Sequence, residues 1–282
     1  MRLTTLLLFL LFCVAGNGQQ VVSSTPLVIG VSLEIHSQEL GENRKLNIYL
    51  PDGYKAGDTT HYPVIYLLDG GMDEDFIHIS GLVQFNTFPW IQRFPNSILV
   101  GIVNTDRKRD FTFPSSIKFH QEKIPNAGGS AKFRSFLQKE LIPFIANRYP
   151  VTSDRMLIGQ SLGGLFATEI LFSQPELFNR FIIVSPSLWW NDASLLHRSI
   201  LPAVLSPNFD QPVSIYIGVG KEGKVPGNRD ATMEGDAETL ANYLKNAKKP
   251  GVTVFFDFLP GEDHATVGHQ AVFNALRMLY PR

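Results

Sequence analysis

Residues 155–167 read Arg155-Met156-Leu157-Ile158-Gly159-Gln160-Ser161-Leu162-Gly163-Gly164-Leu165-Phe166-Ala167, and the reading of this stretch decides the fold. Residues 155–158 form a short apolar run of strand character, and residues 162–172 have helix character. Between them, Gly159-Gln160-Ser161-Leu162-Gly163 matches G-x-S-x-G, with Gly164 following. A serine on so sharp a strand-to-helix turn takes a strained backbone conformation, and glycines two residues to either side remove the Cβ atoms that would clash. The strain pushes the Ser161 hydroxyl out above the sheet, over a helix N-terminus that favours developing negative charge. This strand–turn–helix setting is the one in which the motif presents a nucleophile.

The same alternation extends outward along the chain. Residues 46–50, 63–68, 97–103, 181–184, 213–219 and 252–258 are short β-branched or aromatic runs. Several are apolar without alternation, as expected for strands covered on both faces. Helical patterns lie between them. Phe133, Phe136, Leu137, Leu141 and Phe144 recur at spacings of three and four after Gly129-Ser130, and further helices are expected over 231–247 and 266–280. Strands separated by helices imply parallel crossovers. The expectation is an α/β chain whose central sheet, mostly parallel and of about eight strands, carries helices on both faces. Residues 19–282 are read as one domain, since no repeat, low-complexity tract or linker divides them.

Composition excludes several alternatives. The 282 residues carry 25 Lys+Arg against 26 Asp+Glu, a formal charge of −1, with 44% hydrophobic and 18% charged residues. A chain this apolar is not disordered, and without a basic block it lacks the electrostatic footprint of a nucleic-acid binder. Residues 1–18 read as a secretory signal peptide: Met1-Arg2, an apolar run over 6–15, then small residues at Ala15, Gly16 and Gly18. Ten apolar residues at about 1.5 Å each cannot cross a hydrocarbon core about 30 Å thick. The expectation is therefore a secreted or periplasmic protein without a membrane span. The single cysteine, Cys13, falls inside this leader. A lipid anchor there is the lesser reading, because Phe12 precedes it where lipid-attachment signals place a small residue.

A serine hydroxyl needs a positioned base, and the base an orienting acid. With a nucleophile of this kind the expected chain order is Ser, then Asp or Glu, then His. The run 213–219 ends in Gly220-Lys221-Glu222-Gly223, placing Glu222 past the carboxyl end of a strand, where open α/β sheets gather ligands. The run 252–258 ends in Leu259-Pro260-Gly261-Glu262-Asp263-His264. Of seven histidines, His36, His61, His78 and His120 precede the serine, and His197 and His269 fall in helix-like runs. His264 is the favoured base and Glu222 the favoured acid, with Asp230 next; Asp236, Asp257 and Asp263 are weaker alternatives. The oxyanion of a tetrahedral intermediate needs two donors. The backbone N–H groups of Leu162 and of Gly71, with Gly70 as fallback, are assigned to it.

Gly218-Val219-Gly220-Lys221-Glu222-Gly223 also fits G-x-G-x-x-G, yet the loop-like Lys224-Val225-Pro226-Gly227 follows where a dinucleotide site needs a helix. No cofactor is expected. The sequence shows no H-E-x-x-H and no His/Asp cluster at metal-ligand spacing, so no metal is expected either.

Taken together, these segments resemble the esterase family of α/β-hydrolases that includes siderophore, feruloyl and acetyl-xylan esterases, S-formylglutathione hydrolase and the mycolyltransferases. The resemblance spans roughly residues 28–281. It rests on Tyr66-Leu67-Leu68-Asp69-Gly70, Arg107 to Pro114, Glu140-Leu141-Ile142-Pro143, Gly159 to Gly164, Ser185 to Trp190, and the Glu222 and His264 loops. Phe113, between Thr112 and Pro114, is an extra residue relative to the family pattern. The resemblance implies an α/β-hydrolase fold and a serine hydrolase cleaving a small-molecule carboxylic ester, with Ser161, Glu222 and His264 as triad. Some members acting on siderophores use a Ser–His pair alone. Arg107 and Arg109 are candidates for holding an anionic substrate, or for pairing with Asp110. Trp189 and Trp190, with Phe85, Phe88 and Trp90, are candidates for an apolar pocket. An acyltransferase of the same fold and a non-catalytic binding module are the competing readings.

Overall fold

The computed structural model describes residues 19–281 apart from positions 58, 198 and 228. The leader-like residues 1–18, with Cys13, lie outside the described residues. Eight strands form one sheet: β1 (Gly30–Ser37), β2 (Glu42–Tyr49), β3 (Tyr62–Leu67), β4 (Ile98–Ile102), β5 (Val151–Gln160), β6 (Arg180–Val184), β7 (Val213–Gly220) and β8 (Val252–Leu259). Their order is β1-β2-β4-β3-β5-β6-β7-β8. β1 and β2 are antiparallel to each other, β2 is antiparallel to β4, and every other neighbouring pair is parallel. The expected mostly parallel sheet is observed.

The sheet's two faces are covered by different helices. Among the described residues these are α1 (Phe76–Thr87), α2 (Arg107–Asp110), α3 (Lys118–Lys123), α4 (Ser130–Phe136), α5 (Ile142–Arg148), α6 (Leu162–Ser173), α7 (Trp190–Ala193), α8 (Met233–Asn246) and α9 (Val267–Leu279). A wide turn over Leu137–Leu141 joins α4 to α5. One core packs Tyr66, Val100, Leu157, Phe181, Ile183 and Ile217 against α4, α6 and α8. The other packs Ile65, Leu99, Ile158, Ile182 and Tyr216 against α1 and α9. Adjacent strand residues thus feed opposite cores, which is why the central strands read as unbroken apolar runs.

Two elements were not legible as periodic runs. β1 is an edge strand whose side chains are mostly exposed or half-buried, so it lacks the apolar signature of the interior strands. α1 contains Gly81 and the β-branched Ile77, Ile79 and Val83, poor helix formers; it holds because Phe76, Ile79, Leu82 and Val83 line one buried face.

A charged cluster ties α2 to the sheet. The fully buried Arg44 of β2 sets Nη1 2.8 Å from both Glu42 and Asp110, and Arg109 reaches the same two carboxylates at 2.6 and 2.7 Å. This fixes Arg107, on the same short helix, beside the carboxyl ends of β3 and β5. Removing one partner leaves a buried charge uncompensated. Asp110→Ala is therefore expected to lose about 3–5 kcal/mol of unfolding free energy in urea titrations; a loss under about 1 kcal/mol would show that the cluster does not hold the fold.

Candidate active site

β5 ends at Gln160, α6 begins at Leu162, and Ser161 between them has φ 58° and ψ −117°. The glycines around it divide by function. A Cβ on Gly159 would stand 2.4 Å from the carbonyl oxygen of Gly163, and one on Gly164 would stand 2.9 Å from that of Val184. A Cβ on Gly163 would meet nothing nearer than 3.4 Å, an ordinary contact. The tight positions are thus Gly159 and Gly164, whereas the motif had pointed to Gly159 and Gly163.

Two loops from β7 and β8 converge on this turn. His264 Nε2 lies 3.0 Å from Ser161 Oγ, and His264 Nδ1 lies 2.6 Å from Glu222 Oε2. The other carboxylate oxygen, Oε1, accepts from Ser185 Oγ and from the Gly220 N–H at 3.1 Å. The His264 side chain is 47% exposed and that of Glu222 only 2%. Burial pushes the Glu222 carboxyl up, but hydrogen bonds from His264 and Ser185, the imidazole charge and the Gly220 N–H outweigh it, so its pKa falls below the ordinary value. Gln160 Nε2 donates to the His264 carbonyl at 2.7 Å, tying the histidine loop to the residue before the serine. Gly220 must lack a side chain here, since a Cβ would meet the Glu262 carbonyl oxygen at 2.7 Å.

The rejected alternatives have other partners. Asp230 faces Lys224, Asp236 pairs with Arg229, Asp257 accepts from Tyr216 and Asn274, and Asp263 accepts from the Ala265 and Thr266 N–H groups in the turn before α9. His36 contacts Asn43, His61 contacts the Thr59 carbonyl, His78 and His269 stack on each other, and His120 stacks on Trp190. Glu222 is the acid that meets His264.

The expected oxyanion donors differ in state. Leu162 N–H belongs to the first turn of α6, whose N–H groups have no partner within the helix. Gly71 N–H donates to Glu74 Oε2 at 2.9 Å, and Gly70 N–H to the Ile102 carbonyl at 3.0 Å, so the fallback is committed to the backbone. Asp69, at φ 55°, precedes them. Its carboxylate takes both Nε and Nη2 of Arg107 at 2.6 and 2.9 Å, and Arg107 Nη2 also reaches the Gln160 carbonyl at 3.2 Å. Sequence reasoning missed Glu74, Asn104, Ser185 and Gln160. Gln160 and Ser185 lie within segments that carry the resemblance, yet their roles, like that of Asn104, come from contacts between segments distant in the chain, whereas Glu74 bonds Gly71 three residues away.

Among the expected substrate contacts, Arg109 pairs with Glu42 and with Asp110, the alternative the sequence had left open, and Arg107 pairs with Asp69. Trp190 is fully buried, with its indole N–H donated to the Phe113 carbonyl at 2.8 Å, so it is core. Phe85, Phe88 and Trp90 form a ladder along α1 and its exit, with Phe85 reaching Phe273 of α9. Trp189 does line an open cleft of about 620 Å³, with Ile117, Phe119, His120, Asp192 and Arg229.

Residues 37–275 match the family model described as "Putative esterase", and the chain belongs to that family. It is 29% identical over 264 residues to the ferri-bacillibactin esterase BesA of Bacillus subtilis (strain 168), covering 85% of this chain and 86% of the relative. Among solved structures, an IroE-like serine hydrolase from Shewanella oneidensis is 30% identical, with a TM-score of 0.77, 89% of this chain and 80% of that chain covered. The BES protein from Bacillus cereus is 27% identical with a TM-score of 0.78, covering 94% of this chain and 100% of that one. The fold is the α/β-hydrolase fold, and the chain is a carboxylic ester hydrolase.

The Cβ distances order two substitutions. Gly159→Ala is expected to lose more than about 2 kcal/mol in chemical denaturation, while Gly163→Ala stays within about 1 kcal/mol of the parent. Equal losses would show that the turn does not depend on the Gly159–Gly163 approach.

Proposed function

We propose that Ser161, His264 and Glu222 act as a catalytic triad that hydrolyses an ester through an acyl-enzyme. The observation that supports it is the chain of contacts from Ser161 Oγ through the imidazole to a buried carboxylate. Ser161 Oγ attacks the ester carbonyl while His264 Nε2 takes its proton. The carbonyl carbon–oxygen bond to the leaving alcohol then breaks, and His264 returns the proton to that oxygen. Water repeats the sequence on the acyl-serine and frees the acid. Glu222, held ionised, keeps the Nδ1–H of the imidazole oriented and balances its charge in the transition state.

The oxyanion is received by the N–H groups of Leu162 and Gly71. The Gly71 donor faces the exposed Glu74 carboxylate, so substrate takes that donor over from Glu74. Glu74→Ala is expected to raise kcat/KM by about two- to tenfold, as one competing hydrogen bond is worth. A fall in kcat/KM on that substitution would remove Gly71 from the oxyanion site.

The relatives and the leader support a reading of substrate and compartment. BesA is named a ferri-bacillibactin esterase, and a relative from Aspergillus fumigatus is named a siderophore triacetylfusarinine C esterase. We assign a siderophore ester as substrate and read residues 1–18 as an export signal. No helix among the described residues is long and apolar enough to cross a membrane. Expected kinetics follow: Ser161→Ala and His264→Ala each lose at least about 10³-fold in kcat on a p-nitrophenyl ester, with Glu222→Gln losing less. Among trilactone siderophore, feruloyl and acetyl-sugar esters, the siderophore gives the highest kcat/KM. Retained turnover by Ser161→Ala rejects the triad; preference for a sugar ester rejects the substrate.

A further inference from the structure

β6 ends at Val184, and the chain turns through Ser185-Pro186-Ser187 beside the Ser161 turn. Ser185 is fully buried at φ 42°, a conformation that side-chain-bearing residues rarely adopt. Its N–H is spent on the Gly218 carbonyl at 2.8 Å, while its hydroxyl donates to Glu222 Oε1. The same turn grips the nucleophile. Ser187 N–H donates to the Ser161 carbonyl at 3.0 Å, Ser161 N–H donates to that of Val184 at 2.9 Å, and Ser187 Oγ lies 3.3 Å from Ser161 Oγ. Pro186 packs so close to Gly164 that a Cβ there would meet its Cα at 3.0 Å.

The chemistry of the carboxylate gives this geometry a use. A free Glu222 side chain rotates about its last bond and offers either oxygen to either side. With Oε1 held by Ser185 and Gly220, only Oε2 is left to face His264. We infer that Ser185 is a positioning residue for ester hydrolysis: its hydroxyl clamps Glu222 so that the acid, the imidazole and Ser161 keep one register, with the turn after β6 as the common template. The inference rests on the triad reading above. A glycine would fit this positive-φ position with less backbone strain, so the buried serine is accounted for by its hydroxyl.

The test compares Ser185→Ala and Ser185→Gly in the full chain, each checked for folding by circular dichroism, on a p-nitrophenyl ester. Both lack the hydroxyl, and only glycine relieves the backbone. Both are expected to lower kcat about tenfold with KM unchanged, the scale of one hydrogen bond to a charged group. Wild-type kcat in Ser185→Gly would show that the position serves the backbone alone and overturn the proposal. In the Glu222→Gln background, the Ser185→Ala loss is expected to shrink to less than about twofold. An undiminished loss there overturns the proposal while leaving the triad standing. Full activity of Glu222→Gln itself overturns the triad reading, and the proposal with it.

Discussion

Three neighbouring parallel strands end in the same unfavourable way. Asp69 after β3, Ser161 after β5 and Ser185 after β6 have φ of 55°, 58° and 42°, and none is glycine. Each conformation costs on the order of 1–3 kcal/mol and persists only where the surroundings enforce it. The enforcement is the packed sheet, whose two apolar cores fix the strand ends to each other. What the strain secures is direction: Asp69 is aimed at Arg107 and Asn104, Ser161 at His264, and Ser185 at Glu222. The rest of the site depends on these three strained corners keeping their register.

Around them, buried charge and backbone contacts brace the loops. The Glu42–Arg44–Arg109–Asp110 cluster anchors α2, and Arg107 on that helix ties Asp69 to the Gln160 carbonyl. Gln160 holds the His264 carbonyl, and Lys221 N–H donates to the Glu262 carbonyl at 2.8 Å, joining the loops of acid and base. These contacts cross from strand end to strand end without covalent help. A half-exposed imidazole is thus presented to solvent while its acid stays nearly sealed, an arrangement suited to a base that exchanges protons with substrate and water beside a fixed charge.

The legible parts of this molecule were those written in local pattern. Gly159 to Gly164 identified the sharp turn because its sterics are solved within six residues, and the interior strands announced themselves by two-sided burial. His264 and Glu222 were found from position alone, at the ends of the last two strand runs. What escaped has a common physical origin. Ser185 acts through a hydrogen bond to a residue that only the fold brings near, and β1 and α1 draw their stability from packing rather than from periodicity. Trp190 misled for the opposite reason: it has the composition of a ligand contact, yet its ring is fully buried and its indole N–H is needed inside the protein.

The claim that His264 and Glu222 make the Ser161 hydroxyl reactive is tested most directly by covalent capture. A fluorophosphonate probe incubated with the full chain, followed by peptide mass mapping, should add one phosphonyl group at Ser161. The rate of addition should fall at least about 10³-fold in His264→Ala. Modification at another residue, or an unchanged rate without the imidazole, would contradict it.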